Sequence, residues 1–372
     1  MHLYTYAVLT GTFVCGLLLE AQEPPRPLIS PEVQQDRRVT FRLRAPNAEQ
    51  VFLALDGSKR AAMQKGEDGV WAITAGPLEP DIYSYSFVAD GVTLLDPSNS
   101  SITLNLLNPA SSVHIPGEGL AWDVTNVPRG VVHHHFYRSN IVGDDRDFYV
   151  YTPPGYDPRA KKPYPVLYLL HGFSDDAGTW TSVGRAHVIL DNLIAQGKAR
   201  PMLIVMTLGY GAPEILSRTR PAFRDPGLRQ RSFEKFRDSL FEEVMPRVEK
   251  EYRTSNDRKM RAIAGLSMGG AESLYIGLNA LDRFAFIGAF SSGGLGDDLA
   301  AQFPKLDEEA NSLLRVFWIS CGTEDRLLDF SRKFVEFLKT KKVEVTLREV
   351  PGSHNWRVWR RDLANFASML FQ

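Results

Sequence analysis

The chain has 372 residues, of which 44% are hydrophobic, and 43 basic residues against 44 acidic ones give it a net charge of −1. This length supplies apolar material for one large and one small domain. Without a basic excess, the chain is not expected to bind nucleic acid, because phosphate binding needs one. Its two cysteines, Cys15 and Cys321, are not expected to pair, so no disulfide framework is predicted.

An apolar run at residues 6–19 begins the chain and is too short to span a bilayer comfortably. Residues 1–21 therefore resemble a secretory signal peptide with cleavage near Ala21, although no Lys or Arg precedes the run. We expect a secreted or periplasmic protein with no stable membrane association after cleavage. An uncleaved anchor and a lipoprotein signal ending at Cys15 are the alternatives. The proline-rich residues 22–36 predict an extended linker.

Residues 37–122 are predicted to form a small Ig-like β-sandwich. Short alternating apolar runs recur there, and Asp-Gly pairs typical of hairpin turns separate them at residues 56–57, 68–69 and 90–91. The aromatic side chains of this segment admit two interpretations, an exposed platform that stacks on a sugar ring or ordinary core packing. The residues concerned are Trp71, Tyr83, Tyr85 and Phe87.

Consecutive histidines at residues 133–135 lie in a predicted strand over residues 131–137. Successive side chains of a strand point to opposite faces, which is poor geometry for chelation. We therefore predict no metal site.

Residues 130–372 show apolar strand patterns that alternate with helical ones. Strands are predicted at residues 165–170, 201–208, 284–290, 315–320 and 343–350, and helices at 232–252 and 330–339. Buried strands separated by helices predict a mostly parallel sheet covered on both faces, which is an α/β fold.

A glycine–serine motif lies at the centre of this domain. The apolar residues 260–264 lead into Gly265-Leu266-Ser267-Met268-Gly269, and a helical pattern follows. This is the context of a nucleophile elbow, in which small neighbours permit a tight turn that exposes the serine. We predict an α/β-hydrolase fold with Ser267 as nucleophile. The alternative is a glycine-rich turn whose serine has no catalytic role.

A serine nucleophile needs a base, and in this fold the chain order is serine, acid, histidine. His354 follows the last predicted strand and is predicted to be the general acid/base. Asp325 follows the strand at residues 315–320 and is predicted to orient the imidazole. The alternative acids are Glu324, Asp329 and Asp297.

The tetrahedral intermediate of acyl transfer needs backbone donors. The N–H groups of Met268 and Phe173 are predicted to supply them, because Gly172 allows the loop after residues 165–170 to approach the serine. His171 is predicted to hold that loop rather than to transfer protons.

Substrate recognition is predicted from loops at the same sheet edge. Trp180, Tyr210 and Trp356 are candidate walls of a slot for an aromatic acyl group, and the alternative is that they pack beneath the loops. Candidates for binding an acidic substrate group, as against ordinary solvated arginines, are Arg218, Arg220 and Arg224.

Several motifs carry a family resemblance. Residues 149–156 (YVYTPPGY), 168–172 (YLLHG), 265–270 (GLSMGG) and 352–360 (GSHNWRVWR) resemble carbohydrate esterase family one and the wider esterase D group. Residues 39–46 (VTFRLRAP) and 83–91 (YSYSFVADG) resemble family-48 carbohydrate-binding modules and related early-set domains.

The resemblance implies a feruloyl-esterase-like serine hydrolase that needs no cofactor and cleaves feruloyl or acetyl esters of plant cell-wall oligosaccharides or polysaccharides. The family's catalytic positions fall on Ser267, Asp325 and His354. One alternative is an enterochelin-type siderophore esterase, which also carries an N-terminal β-domain. Another is a catalytically inert carbohydrate-binding protein. The sandwich is expected to be dispensable for the cleavage of small esters and to assist action on polymer.

Overall fold

The structure is a computed structural model that describes residues 27–217 and 225–372. The predicted signal peptide and the candidate arginines Arg218, Arg220 and Arg224 lie outside these ranges. Within them, no helix has both the length and the apolar character that crossing a membrane requires.

The N-terminal domain is a β-sandwich. Its first sheet contains β1 (Glu32–Val33), β2 (Val39–Arg44), β5 (Gln64–Lys65) and β6 (Val70–Ala75). Its second contains β3 (Val51–Leu55), β4 (Ala61–Ala62), β7 (Asp81–Ala89), β8 (Val92–Leu94), β9 (Ile102–Thr103) and β10 (Ala110–Ile115). The strand orders are β1-β2-β6-β5 and β4-β3-β7-β10-β9, with β8 paired on β7, and the pairings are antiparallel. The predicted sandwich is therefore confirmed.

The aromatic residues of the sandwich form its core. Trp71 is 6% exposed, Tyr83 4%, Tyr85 1% and Phe87 0%. Phe41 packs against Tyr85 at 4.7 Å between ring centroids. The core interpretation is correct, and none of the four aromatic residues forms an exposed platform for a sugar.

The sandwich begins earlier in the chain than its sequence pattern indicates. β1 pairs with β2, and the Ser30 hydroxyl donates to Asp96 at 2.6 Å. The predicted linker, residues 22–36, is therefore wrong over its C-terminal part, which belongs to the sandwich. A two-residue strand is too short to produce a detectable alternation of apolar and polar residues.

The C-terminal domain is built on one mixed sheet. Its strands are β11 (Val131–Arg138), β12 (Asp145–Thr152), β13 (Val166–Leu170), β14 (Leu203–Thr207), β15 (Arg261–Leu266), β16 (Phe286–Phe290), β17 (Val316–Gly322) and β18 (Thr346–Val350). They are ordered β11-β12-β14-β13-β15-β16-β17-β18, and from β14 onward along this order the strands run parallel. This arrangement confirms the α/β-hydrolase fold.

Helices cover both faces of this sheet. They are α1 (Thr179–Ser182), α2 (Ala186–Ala195), α3 (Pro226–Ser239), α4 (Met245–Glu251), α5 (Met268–Asn279), α6 (Leu299–Gln302), α7 (Ala310–Leu313), α8 (Leu328–Thr340) and α9 (Trp356–Met369). A π-helical turn, Leu240–Val244, joins α3 to α4, and short 3-10 turns lie at Pro213–Leu216 and Arg258–Met260. The predicted helix at residues 232–252 is thus part of a longer helical stretch.

The central strands are buried on both sides. Tyr168 and Leu170 of β13 pack into one apolar cluster, whereas Leu167 and Leu169 pack into the cluster on the opposite face. All of β13 is buried, as the continuous apolar run in the sequence predicts.

The strand order places a crevice beside β13. The strand that follows it in the chain, β14, lies on one side of it, and β15 lies on the other. In open α/β sheets, ligands bind where the strand order reverses, at the carboxyl ends of the strands. The loops that leave β13 and β15 at this edge carry Gly172 and Ser267.

A buried ion pair joins the two domains. Asp81, at the start of β7, accepts from Arg360 of α9 at 2.8 Å and from Arg361 at 3.0 Å. Asp81 is 0% exposed and Arg360 is 1% exposed. Burial raises the pKa of Asp81 and lowers that of Arg360 to about 10, so attraction within the pair offsets only part of the desolvation.

Candidate active site

Ser267 occupies the tight turn between β15 and α5. Its φ of 52° and ψ of −113° are sparsely populated for a residue with a side chain, so the surroundings must hold it. Its N–H donates to the Phe290 carbonyl at 2.8 Å. A Cβ on Gly265 would lie 2.5 Å from backbone atoms of Gly269, and one on Gly269 would lie 2.4 Å from the His171 carbonyl. Both glycines are therefore required by the turn.

The structure brings the predicted serine, histidine and aspartate into one hydrogen-bonded chain. His354 lies between β18 and α9, and its Nε2 is 3.0 Å from Ser267 Oγ. Its Nδ1 is 2.8 Å from Asp325 Oδ2. Because Nδ1 faces a carboxylate, it carries the proton in the neutral ring, and Nε2 is left to accept from the serine hydroxyl.

Asp325 is held as an ionised acceptor. Burial acts to raise the pKa of Asp325, but the hydrogen bonds from His354 and from the Leu327 N–H at 2.9 Å outweigh it and hold this pKa below its ordinary value. The alternative acids Glu324, Asp329 and Asp297 are exposed.

The loop after β13 is fixed by its Gly172 carbonyl. His171 Nδ1 donates to this oxygen at 2.7 Å, and the Tyr210 hydroxyl lies 3.3 Å from it. In a trans peptide the N–H points away from the preceding C=O. These contacts therefore turn the Phe173 N–H to the side opposite His171 and Tyr210.

His171 acts here as a neutral support. Its Nε2 accepts from the Gly209 N–H at 2.9 Å, and burial lowers its pKa to about 4.

The second predicted oxyanion donor, beside the Phe173 N–H, is the Met268 N–H, which belongs to the first residue of α5. Backbone N–H groups in the first turn of a helix have no intrahelical partner.

The predicted aromatic slot is wrong for Trp180 and Tyr210. They are 0% and 1% exposed, and neither lines the cavity beside Ser267. Trp180 Nε1 donates to the Leu170 carbonyl at 2.9 Å, and the Tyr210 hydroxyl lies 2.9 Å from the Asp175 carbonyl. Both rings turn toward the sheet and pack beneath the loops. The position of a residue near a loop does not specify in which direction its side chain points. Trp356 does line the cavity.

A cavity of about 970 Å³ opens above Ser267, between the two domains. The hydrolase side of its wall combines apolar residues with polar ones. The apolar residues are Phe173, Ile215, Leu266, Trp356 and Trp359, and the polar ones include Ser174, Asp175, Ser217 and Asn355. The sandwich side carries mostly small or polar residues, among them Ala54, Asp56, Ser84, Ser86, Thr103 and Asn105, together with Leu55, Tyr85 and Leu107. Arg326 also lines it, one residue after Asp325.

Sequence reasoning missed the sandwich wall. Ser84 and Ser86 alternate with the core residues Tyr83, Tyr85 and Phe87, which is the ordinary pattern of a strand with one solvated face. The available signal was the absence of charged residues from that face of β7, and it is weak.

The consecutive histidines lie on β11 and have separate partners. His134 Nε2 is 2.7 Å from Asp147, whereas His135 Nδ1 is 3.3 Å from Glu251. Over residues 27–217 and 225–372, no group of three or more His, Cys, Asp or Glu side chains is arranged to hold a metal ion.

A buried acid on α9 makes stability depend on pH. Asp362 is 0% exposed, and burial raises its pKa from 3.8 to about 7, which the nearby Ser320 hydroxyl only partly offsets. The folded protein thus keeps a proton that the unfolded chain loses near pH 3.8. Stability contributed by this group is lost as the pH rises through about 7.

In wild type, this group should lower the free energy of unfolding by up to about 4 kcal/mol between about pH 4 and pH 8. Asp362→Asn is expected to abolish that decrease. Urea unfolding of the variant and of wild type across this range measures it. The exposed Asp282 supplies the control Asp282→Asn, which should keep the wild-type slope. An unchanged slope in Asp362→Asn would contradict the prediction.

The known proteins that this chain resembles include several esterases. An endo-1,4-beta-xylanase/feruloyl esterase of Xylanibacter ruminicola is 30% identical over 352 residues, which are 92% of this chain and 46% of that protein. This chain thus spans about half of that relative's length. A ferulic acid esterase from Anaeromyces mucronatus, solved with ferulic acid, is 26% identical with a TM-score of 0.59, over 69% of this chain and 96% of that one.

A further solved structure resembles both domains. The enterobactin esterase of Shigella flexneri is 19% identical with a TM-score of 0.69, over 90% of this chain and 94% of that one, and this similarity concerns the fold. The profile of the family described as "Putative esterase" matches residues 139–368, more than half of the chain. The chain therefore belongs to this esterase family of carboxylic ester hydrolases.

Proposed function

We propose that this protein is a serine esterase that releases feruloyl or acetyl groups from plant cell-wall saccharides. The observation that carries the proposal is the hydrogen-bonded chain Ser267–His354–Asp325 at the mouth of a large cavity. The name of the Xylanibacter ruminicola relative supports the substrate class. The ferulic acid bound to the Anaeromyces mucronatus enzyme supports the acyl group.

In the proposed reaction, His354 Nε2 takes the proton of Ser267 Oγ as this oxygen attacks the ester carbonyl carbon. The N–H groups of Phe173 and Met268 donate to the resulting oxyanion. The intermediate then expels the sugar alkoxide, which receives the proton from His354, and an acyl-enzyme remains. Water, deprotonated by His354, attacks the acyl carbon, and Ser267 recovers its proton as the carboxylic acid leaves.

The two walls of the cavity support an acylated saccharide as substrate. A planar aromatic acyl group suits the apolar part of the hydrolase side, where Phe173 and Trp356 lie. Sugar hydroxyls suit the opposite side, where Ser84, Ser86 and Thr103 present hydroxyl groups. At about 970 Å³ the cavity is near the upper end of the range of ligand pockets, so it accommodates more than an acyl group alone.

Turnover of matched substrates by the purified full chain tests the proposal. Methyl ferulate and acetylated xylan fragments represent the proposed class, and a catechol macrolactone represents the siderophore alternative. We expect kcat/KM of at least about 10⁴ M⁻¹ s⁻¹ for one of the first two. Highest turnover of the macrolactone would favour a siderophore esterase, and no turnover of any ester would favour an inert binding protein.

We also propose that the protein is exported. The apolar run at residues 6–19, followed by residues 20–25, supports this proposal. Cell fractionation with N-terminal sequencing tests it. Recovery of the protein in the cytoplasm with its first residues intact would contradict it.

A further inference from the structure

The sandwich contacts the loop that carries the proposed oxyanion donor. Asn105 follows β9, and its Nδ2 donates to Asp175 Oδ1 at 2.9 Å. The adjacent Leu106 N–H donates to the Ser174 carbonyl at 2.7 Å. Side-chain and backbone bonds from one short segment thus reach the same turn of the hydrolase domain, residues 172–175.

The Asn105 side chain is itself held in place. Its Oδ1 accepts from the N–H groups of Leu107 at 3.1 Å and Asn108 at 2.8 Å. Because these donors occupy the carbonyl end of the amide, the NH₂ end faces Asp175. The sandwich therefore presents a preorganised donor rather than a mobile surface side chain.

Asp175 connects this donor to the loop. It is 4% exposed, and its carboxyl group accepts from Asn105. Its own N–H donates to the Gly172 carbonyl at 3.2 Å. Asp175 thus ties together both ends of the four-residue turn that contains the Phe173 N–H.

The turn needs such external restraint. Ser174 has a φ of 69°, in the left-handed region that disfavours a residue with a side chain. A strained conformation of this kind persists only where neighbouring groups hold it. Leu106 contacts Ser174 itself, and Asn105 contacts the next residue, Asp175.

We propose that Asn105 is a positioning residue for catalysis, which through Asp175 holds the Gly172–Phe173 peptide in the orientation that binds the oxyanion. The proposal rests on the proposed function for the donor role of Phe173. The oxyanion exists only after the serine has attacked, so a misplaced donor costs transition-state binding and leaves substrate binding intact. The sandwich is then part of the catalytic unit.

Asn105→Ala is expected to lower kcat for methyl ferulate by about tenfold to a hundredfold, somewhat less than outright loss of an oxyanion donor, with KM within about twofold of wild type. The exposed Asn47 of the same domain supplies the control Asn47→Ala, which should keep wild-type kcat. A kcat for Asn105→Ala within about twofold of this control, or a loss confined to KM, would overturn the proposal.

An exchange of the two side chains separates positioning from loss of folding. Asn105→Asp alone sets two carboxyl groups against each other and should be more damaging than Asn105→Ala. Adding Asp175→Asn restores one donor and one acceptor, so kcat should recover by about tenfold over Asn105→Asp. Failure to recover, with the double variant folded by circular dichroism, would overturn the proposal.

Amide hydrogen exchange of the full chain tests the positioning role of Asn105 separately from the proposed esterase function. In Asn105→Ala the amides of residues 172–176 should exchange at least about tenfold faster than in wild type, whether or not any ester is cleaved. Faster exchange in a chain that hydrolyses no ester would reject the proposed function alone. Unchanged exchange in an active enzyme would reject the positioning role alone.

Discussion

Ser267→Ala is expected to lower kcat for methyl ferulate by about a millionfold, because no other hydroxyl has His354 Nε2 as its hydrogen-bonded base among the described residues. Alanine keeps the Cβ at this φ, so the melting temperature should remain close to that of wild type. Active-site titration together with steady-state turnover measures the effect. The exposed Ser312 supplies the control Ser312→Ala, which should be fully active.

Turnover measurements on two further variants test whether Ser267 and His354 act as one unit. His354→Ala should be about as damaging as Ser267→Ala, and the double variant should be little worse than either. Multiplicative losses would mean that the two side chains serve separate steps. Turnover in the tens of per cent in Ser267→Ala would remove Ser267 from the mechanism.

Asp81→Ala is expected to lower the free energy of unfolding by about 3–5 kcal/mol, because it leaves the buried Arg360 guanidinium without its carboxylate. The backbone carbonyls of Ile82 and Val183, which also accept from Arg360, carry no full charge to replace it. Chemical denaturation followed by tryptophan fluorescence and circular dichroism measures the loss.

Two comparisons show whether the loss comes from burial. Asp145 is 88% exposed and lies 3.5 Å from Arg138, so Asp145→Ala should cost less than about 1 kcal/mol. Replacing both buried partners, as Asp81→Leu with Arg360→Met, should be less damaging than Asp81→Ala. A loss below about 1 kcal/mol in Asp81→Ala would mean that water reaches the pair.

This interface changes the expectation that the sandwich is dispensable for small esters. Its removal would take away Asp81, the partner of Arg360, and one wall of the cavity above Ser267. It would also remove the Asn105 contact to Asp175. Loss of activity toward every ester, rather than toward polymer alone, is now the expected result of the deletion.

The features that sequence predicts well are those encoded by neighbouring residues. The elbow is visible because a turn that admits no Cβ at Gly265 or Gly269 surrounds Ser267 with glycine. The strands of the hydrolase sheet are visible because burial on both faces makes each a continuous apolar run. Chain order then points to His354, since the histidine of this fold follows the last strands.

Features that depend on distant parts of the chain were not predictable in this way. Asp81 and Arg360 are 279 residues apart, and each alone resembles an ordinary surface charge. Trp180 lies in the short helix α1, and the inward direction of its ring depends on the Leu170 carbonyl and on packing against Trp356. Such contacts arise only when the domains and loops assemble.

The sandwich residues that line the cavity offer a way to change which substrates fit it. Ala54, Ser84 and Ser86 belong to a domain with its own apolar core, and they are distant in the chain from Ser267 and His354. Bulkier or charged substitutions there would reshape the cavity without altering the Ser267–His354 contact. The cavity can therefore be reshaped from the sandwich side while Asn105, Asp81 and the Ser267–His354 contact are left in place.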